Sequence, residues 1–467
     1  MPNDYCTPLT IEQIEQNFSD LHPAHTPAEA LHEANRCLYC YDAPCMHACP
    51  THIDIPGFIK KIASGNLTGS ARVIFDANPI GATCARVCPV EVLCEGACVE
   101  KTLLQKPIEI GRLQRYATDH VLTNGRQLFT KGESNGKSVG VIGSGPAGLS
   151  CASYLARLGY DVTVYERKPI AGGLDTYGMA EYKMPQSVSL AEVERVAAIG
   201  VKFLLNTEIV AGDDTTEVLG EVNRVSFELL KEWHDVIFVG AGLGNTNKLG
   251  IPGEDLEGVY DSLDFIERVK TREWSTVPLG TMVAVIGAGN TAIDAVTQAK
   301  RLGAARVLMV YRKTAREMPA YDYEFELAKQ DAVEFVWQAA PIGILSNDGK
   351  HVSALRCERT DGSLELFEIP CDMVIKAVGQ TKRKSFFEKV IGVDTDERGC
   401  VMVNELMQTT NPKIFAGGDC VNGGGEAVEA AQMGKLAAQG IHETLIGEHI
   451  DFAGADVAAV EKRLATH

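Results

Sequence analysis

Two groups of cysteines are the residues of this chain best suited to chemistry. The first reads Cys37-x2-Cys40-x4-Cys45-x3-Cys49-Pro50 and the second Cys84-x3-Cys88-Pro89-x4-Cys94-x3-Cys98. The other six of the 14 cysteines (Cys6, Cys151, Cys357, Cys371, Cys400 and Cys420) stand singly. Closely spaced thiolates on short loops, with a Cys-Pro step, suit the wrapping of an iron–sulfur cubane. In two-cluster chains the last cysteine of a run often ligates the other cluster. The spacing therefore predicts two [4Fe–4S] clusters. Structural zinc, served by four ligands in two pairs, and plain unligated thiols are the alternatives. Disulfides are not expected. The start, Met-Pro-Asn-Asp-Tyr-Cys, has neither a basic nor an apolar signal region, and reducing compartments keep thiols free.

Glycines carry the second kind of chemistry. The apolar run Ser138–Ile142 leads into Gly143-Ser-Gly145-Pro-Ala147-Gly148, then a helical pattern over 149–158, then a strand over 161–165 that ends at Glu166. Such glycines let backbone N–H groups approach a pyrophosphate at a helix N-terminus, and the acid accepts hydrogen bonds from a ribose. The bland alternative is a glycine turn needed only for packing. The unit recurs. A strand over 281–286 precedes Gly287-Ala288-Gly289-Asn290-Thr291-Ala292, a helix to Leu302 and a strand over 306–311. Alanine is permitted at the third glycine position. This second strand ends on Tyr311-Arg312-Lys313, with Arg316 close behind. Cations in place of the ribose acid favour a 2′-phosphate and hence NADP(H). A solvated basic turn is the alternative, so NAD(H) stays open.

Two dinucleotide units in one chain suggest FAD and a nicotinamide nucleotide. Ala171-Gly-Gly173-Leu174 is a turn able to pass close to the flavin nucleotide. Runs 235–241 and 372–379 have the character of buried strands ending in small residues, placed where the chain crosses between the two nucleotide units. Phe415-Ala-Gly-Gly-Asp419 is a strand ending on an acid, and 423–429 starts a helix whose dipole favours negative charge on a reduced flavin. Asp419 as a plain N-cap is the alternative. The flavin unit has no Cys-x-x-Cys or Cys-x4-Cys, which argues against a disulfide reductase. Cys420 is expected to be a small buried residue.

These parts must be positioned by an α/β chain. An N-terminal α-helical iron–sulfur domain, with helices over 27–37 and 55–62, is followed by two nested Rossmann-like dinucleotide-binding domains. The expected limits are 1–135 for the helical domain with two clusters and 136–247 for the first FAD part. A nucleotide-binding insert then covers 248–366, the second FAD part 367–452, and a tail 453–467. Residues 131–137 read as a linker. Val457, Val460 and Leu464 in the tail have helical spacing. With 467 residues, about three domains are expected. Lys+Arg is 44 against Asp+Glu 62, a net charge of −18. So acidic a chain is a poor binder of nucleic acid or an anionic membrane. No apolar run approaches the roughly 18 residues of a spanning helix, and a cytoplasmic location is expected.

The order of parts resembles the electron-input module shared by dihydropyrimidine dehydrogenase (its N-terminal half, or the separate bacterial small subunit) and the glutamate synthase small subunit. The resemblance covers about residues 30–450. It is carried by Cys37-Leu-Tyr-Cys40, Cys45-x3-Cys49-Pro50, Ile53-Asp-Ile-Pro-x-Phe58, Cys88-Pro-x4-Cys94-x3-Cys98, both glycine motifs and Phe415-Ala-Gly-Gly-Asp419. Pro107-Ile-Glu-Ile-Gly-Arg-Leu-Gln114 resembles the dihydropyrimidine dehydrogenase stretch in which a glutamine is the fourth ligand of one cluster. The resemblance implies one cluster on Cys37, Cys40, Cys45 and Cys98. It implies the other on Cys49, Cys88, Cys94 and Gln114, leaving Cys84 as a nearby non-ligand. Spacing alone favours Cys84 over Gln114, and that choice stays open here.

The same resemblance implies FAD contacts at Gly143, Gly145, Ala147, Glu166, Gly173, Leu174, Lys183, Asp419 and Ala427. It implies nucleotide contacts at Ala288, Asn290, Thr291, Arg312, Lys313 and Arg316, with Ala377–Gly379 on the nicotinamide side. The family often has arginine at the Lys183 position, and lysine cannot reproduce a guanidinium fork. No catalytic side chain is expected, because hydride transfer needs only nicotinamide stacked near flavin. The implied function is oxidation of NAD(P)H at FAD, with electrons passed through the clusters to a partner in a heteromeric complex. That partner is an FMN-containing catalytic subunit reducing uracil or thymine. The alternative partner is the large, glutamine-dependent subunit of glutamate synthase. The chain ends at His467, with no expected room for a pyrimidine site.

Overall fold

A computed structural model describes residues 9–212, 218–219, 222–390 and 392–452. The expected helical spacing at Val457, Val460 and Leu464 lies outside these residues, as does Cys6. The described chain divides into two compact units. One holds 22–176, 186–243 and the described residues from Lys382 on. The other holds the described residues up to Leu21, 177–185 and 244–381.

The first unit opens with short helices whose starts are written in the sequence. Thr26 and Glu29 form a capping box ahead of Pro27–Arg36, with Pro27 in the first turn, where its missing N–H costs nothing. Asp54 accepts from Gly57 N at 2.9 Å to cap Ile55–Ala63, and Asn66 accepts from Gly69 N at 2.9 Å to cap Leu67–Ala77. Pro44–Ala48, Gly81–Val87, Val99–Leu104 and Ile110–Thr123 complete the set. Their apolar faces, among them Phe58, Ile59, Ile62, Ile74, Leu113 and Ala117, close one core, which includes Cys49 and Cys94.

The same unit contains a parallel five-stranded sheet. Its spatial order is Ile414–Ala416, Val236–Val239, Ser138–Ile142, Asp161–Tyr165, Lys202–Leu204. The strand from near the C-terminus lies beside those from 138–239, so this sheet is interrupted in sequence by the other unit. Strands 236–239 and 414–416 are buried at every residue, as a parallel sheet covered on both faces requires. Helices Pro146–Arg157 and Ala427–Ile446 pack so closely that a Cβ on Gly434 would lie 2.2 Å from Ala147 O. The stretch read as a linker is tied down. Gly132 N donates to Ala156 O and Asn135 N to Gly159 O.

The second unit has its own parallel sheet, ordered Glu334–Val336, Arg306–Val310, Met282–Ile286, Met373–Lys376, Val259–Asp261. A three-stranded antiparallel sheet, Ala339–Leu345, Ala354–Arg359 and Leu366–Pro370, belongs to the same unit. Two expected limits differ from these bounds. Met373–Lys376 pairs in register with 283–286, so the return to the first unit falls at Lys382 and not at 367. The described residues up to Leu21 join the second unit, because Ile14 and Phe18 bury their side chains in its core and Phe18 stacks on Trp274 at 4.7 Å.

Candidate cofactor sites

In the first unit the glycine turn is built by close approaches. Gly143 has φ 91°, and a Cβ there would lie 2.4 Å from Gly240 O. A Cβ on Gly148 would lie 2.0 Å from Gly143 O. Gly145 differs, because a Cβ there meets only Gly173 Cα, at 3.9 Å. It caps Pro146–Arg157, so this open side faces the unpaired N–H groups of a helix start. Gly173 sits against Gly145, and Gly172 N donates to Ser144 Oγ at 3.0 Å. The cradle left open above Gly145 fits a dinucleotide pyrophosphate.

Glu166 is buried beside it and accepts from Ser144 N at 3.1 Å, Ser144 Oγ at 2.6 Å and Lys168 N at 2.9 Å. An ionised carboxylate offers about four acceptor positions, so capacity for about one ribose hydroxyl remains. Asp419 accepts from Gly425 N at 3.3 Å, and burial pushes its pKa up. A Cβ on neighbouring Gly418 would lie 3.1 Å from Ala147 Cβ, which places the acid against the start of the Pro146 helix. Ala427 begins its helix through a capping box of Glu426 and Glu429. Leu174 is exposed. Cys420 is buried, and its thiol donates to Val239 O and Gly417 O, as expected of a small core residue.

Lys183 belongs to the second unit. Its ammonium lies 2.6 Å from Asp294 Oδ1 and 2.5 Å from Glu324 Oε2. Burial alone pushes its pKa down, and Asp294, Tyr182 and Glu324 more than reverse this. The resemblance implies that this lysine serves the flavin nucleotide, and its ammonium is paired with two carboxylates.

In that unit Gly287 has φ 129°, and a Cβ would lie 2.2 Å from Ala377 O, while Gly289 has nothing within 4 Å of a built Cβ. The second cradle is therefore also open. Asn290 and Thr291 open the helix Asn290–Leu302, and Asn290 Oδ1 accepts from Tyr321 N at 3.2 Å. Ala288 is buried. Arg312, Lys313 and Arg316 are exposed, with Lys313 3.5 Å from Glu317. Gly379 takes φ 78°, and its carbonyl accepts from Asn247 N at 2.9 Å.

The cysteines fall into two sets. Cys37, Cys40, Cys45 and Cys98 line one pocket with Pro44, Ile55 and Ile59. Burial pushes the Cys45 thiol up to about 12, with Cys37 and Cys98 adding to it. Cys88 is raised by a hydrogen bond with Cys84, then by burial and by Cys84, Cys49 and Cys94. Burial, then Cys49, raises Cys94. Thiols crowded in this way hold their protons unless a cation takes them. Among the described residues no three His, Cys, Asp or Glu side chains converge as ligands of a single ion do.

Gln114 is buried, and its Nε2 donates to Gly81 O at 2.7 Å, which leaves Oε1 as the atom free to ligate. Cys84 is buried as well, and its sulfur accepts from Asn78 Nδ2 at 3.1 Å. Two other residues of this region escape a sequence reading. Glu192 accepts from Ala82 N and Thr83, and Lys435 donates to Thr51 O at 3.0 Å. The signal for Lys435 was a single cation in the otherwise apolar run Met433–Ala438.

Two parallel nucleotide sheets with open glycine cradles, joined to a cysteine-rich helical part, define an iron–sulfur, FAD- and NAD(P)-dependent oxidoreductase. The chain belongs to the pyridine nucleotide-disulphide oxidoreductase family, matched over residues 137–434, and residues 14–126 match dihydropyrimidine dehydrogenase domain II, 4Fe-4S cluster. It is 35% identical over 436 residues to the NAD-dependent dihydropyrimidine dehydrogenase subunit PreT of Escherichia coli K12, covering 93% of this chain and 98% of that one. It is 34% identical over 466 residues to the glutamate synthase [NADPH] small chain of the same strain, covering 93% and 95%. In fold it is similar to Lactococcus lactis thioredoxin reductase, with a TM-score of 0.54 at 23% identity, covering 67% of this chain and 100% of that one. The resemblance read from the motifs is thus confirmed, and so are the nested α/β architecture and the 4Fe-4S, FAD and NAD(P)H cofactors. No helix among the described residues is long and apolar enough to cross a membrane.

Proposed function

We propose that this chain oxidises a nicotinamide nucleotide at FAD and delivers the electrons, through two [4Fe–4S] clusters, to a separate FMN subunit that reduces uracil or thymine. Per turnover, NAD(P)H, one proton and the pyrimidine give NAD(P)+ and the 5,6-dihydropyrimidine. When bound, FAD would supply the hydride acceptor and the clusters single-electron carriers. The residues of the chain bind, orient and tune these groups. Gly143, Gly145, Ala147, Gly148, Glu166, Gly173, Leu174, Asp419 and Ala427 hold FAD. Gly287, Ala288, Gly289, Asn290, Thr291, Ala377 and Gly379 hold the nucleotide, and Arg312, Lys313 and Arg316 receive a 2′-phosphate. We keep the domain limits proposed from the sequence, with the FAD return moved to Lys382 and the described residues up to Leu21 grouped with the nucleotide-binding insert.

One ligand set is Cys37, Cys40, Cys45 and Cys98, and the other Cys49, Cys88, Cys94 and Gln114. The observation that carries the pyrimidine reading is Gln114: a buried amide on Ile110–Thr123, anchored to the helix of Cys84 through Gly81. The glutamate synthase reading draws on near-equal identity to that small chain. Isolation of the native complex separates the two. An FMN-containing partner supports pyrimidine reduction, and a much larger glutamine amidotransferase partner contradicts it.

A further inference from the structure

Lys435 is fully buried, with 0% of its surface exposed. An ammonium taken so far from water is costly unless something nearby uses the charge. Lys435 lies about two turns into Ala427–Ile446, the helix whose first residue is assigned to the flavin site. Its Nζ donates to Thr51 O at 3.0 Å, and the Thr51 hydroxyl lies 3.5 Å from Cys49 Sγ. The Tyr154 ring, on the helix that starts at the glycine turn, lies 5.8 Å from Nζ. One buried cation is therefore built between the flavin helices and the segment that supplies Cys49.

We propose that Lys435, in its ammonium form, raises the reduction potential of the cluster held by the Cys49 set. The inference rests on the ligand set proposed above. A cluster becomes one unit more negative when it takes an electron. A nearby cation in a low-dielectric interior stabilises that state more than the oxidised one. A neutral glutamine in place of a thiolate acts in the same direction, so Gln114 and Lys435 reinforce each other. Both make that cluster easier to reduce. The charged neighbours of Lys435 are Cys49, Asp76 and Asp451, which favour the ammonium, and Arg157, which opposes it. Burial is the larger influence and pushes its pKa down to about 7.

Lys435→Met and Lys435→Arg, prepared as full-length holoprotein, test this by protein-film voltammetry alongside iron and FAD content. Lys435→Met is expected to lower the potential of one cluster and leave the other unmoved, while Lys435→Arg stays near wild type. Unchanged potentials in an iron-replete Lys435→Met protein would overturn the inference. If Lys435→Met loses iron, wild-type protein labelled with 15Nζ-lysine is used instead. A pulsed-EPR nitrogen coupling to a reduced cluster supports the inference, and its absence overturns it. Iron content of the wild type checks the ligand set separately. Iron for a single cluster only would sink the ligand reading, whereas full iron with no shift sinks only the role of Lys435.

Discussion

Thr83 gives both its backbone N–H and its hydroxyl to the Glu192 carboxylate, at 3.2 and 2.5 Å, and Ala82 N joins them at 2.6 Å. Glu192 lies on Gln186–Ala198, beside the first sheet, and Thr83 lies on the short helix carrying Cys84. The carboxylate thus satisfies donors at the start of that helix that have no partner within it.

Burial raises the Glu192 pKa from 4.5 to about 7, against the pull of Thr83 and Ala82. A carboxyl whose folded pKa is raised stabilises the fold most below its unfolded pKa. That contribution is lost as pH rises from about 4.5 to about 7. Glu192→Gln is expected to remove this component, worth on the order of a few kcal/mol, from the pH dependence of thermal unfolding. Identical pH slopes in mutant and wild type would contradict it. Glu192→Ala leaves Thr83 and Ala82 without an acceptor and should cost roughly 1–3 kcal/mol, read from denaturant unfolding.

The ligand sets predict different outcomes for two neighbouring buried residues. Gln114→Ala should lower iron per chain and alter the EPR of one cluster. Cys84→Ser should leave both close to wild type. The reverse pattern would return Cys84 to the ligand set.

The two glycine cradles should fail independently. A side chain at Gly145 or Gly289 meets little protein, so the fold tolerates it while the cofactor does not. Gly145→Val is expected to purify without flavin. Gly289→Val should keep its flavin and raise KM for the nucleotide by roughly 10- to 100-fold, a loss of about 1.4–3 kcal/mol. Normal nucleotide kinetics in Gly289→Val would refute the assignment of that cradle.

The 2′-phosphate contacts proposed for Arg312 and Lys313 make the nucleotide preference testable. Charge-assisted contacts to a phosphate contribute about 1.5–3 kcal/mol. Arg312→Ala with Lys313→Ala should therefore lower kcat/KM for NADPH by roughly 10- to 100-fold and barely change it for NADH. Equal losses for both nucleotides would return these residues to a solvated turn.

The parts legible in the sequence were those set by short-range rules. Gly143, Gly145 and Gly148 form their turn within a few residues, and the Thr26–Glu29 capping box lies in a single turn. Contacts between distant segments were not legible. Lys435 meets Thr51 across 384 positions, and Glu192 meets Thr83 across 109. The 366/367 limit was missed because Met373–Lys376 reads as a buried strand in either sheet, and only its register with 283–286 assigns it. Lys183 was read from a resemblance, while its partners Asp294 and Glu324 lie more than 100 residues away, at 111 and 141 positions.

The electron balance of the reconstituted pair tests the proposed pyrimidine reduction directly. This chain, loaded with flavin and clusters, is mixed without oxygen with the proposed FMN partner, NAD(P)H and uracil, and both products are counted. One NAD(P)H oxidised per dihydrouracil formed is expected, with no dihydrouracil from either subunit alone. Nucleotide oxidation that ignores uracil but responds to glutamine and 2-oxoglutarate with an amidotransferase partner would contradict it.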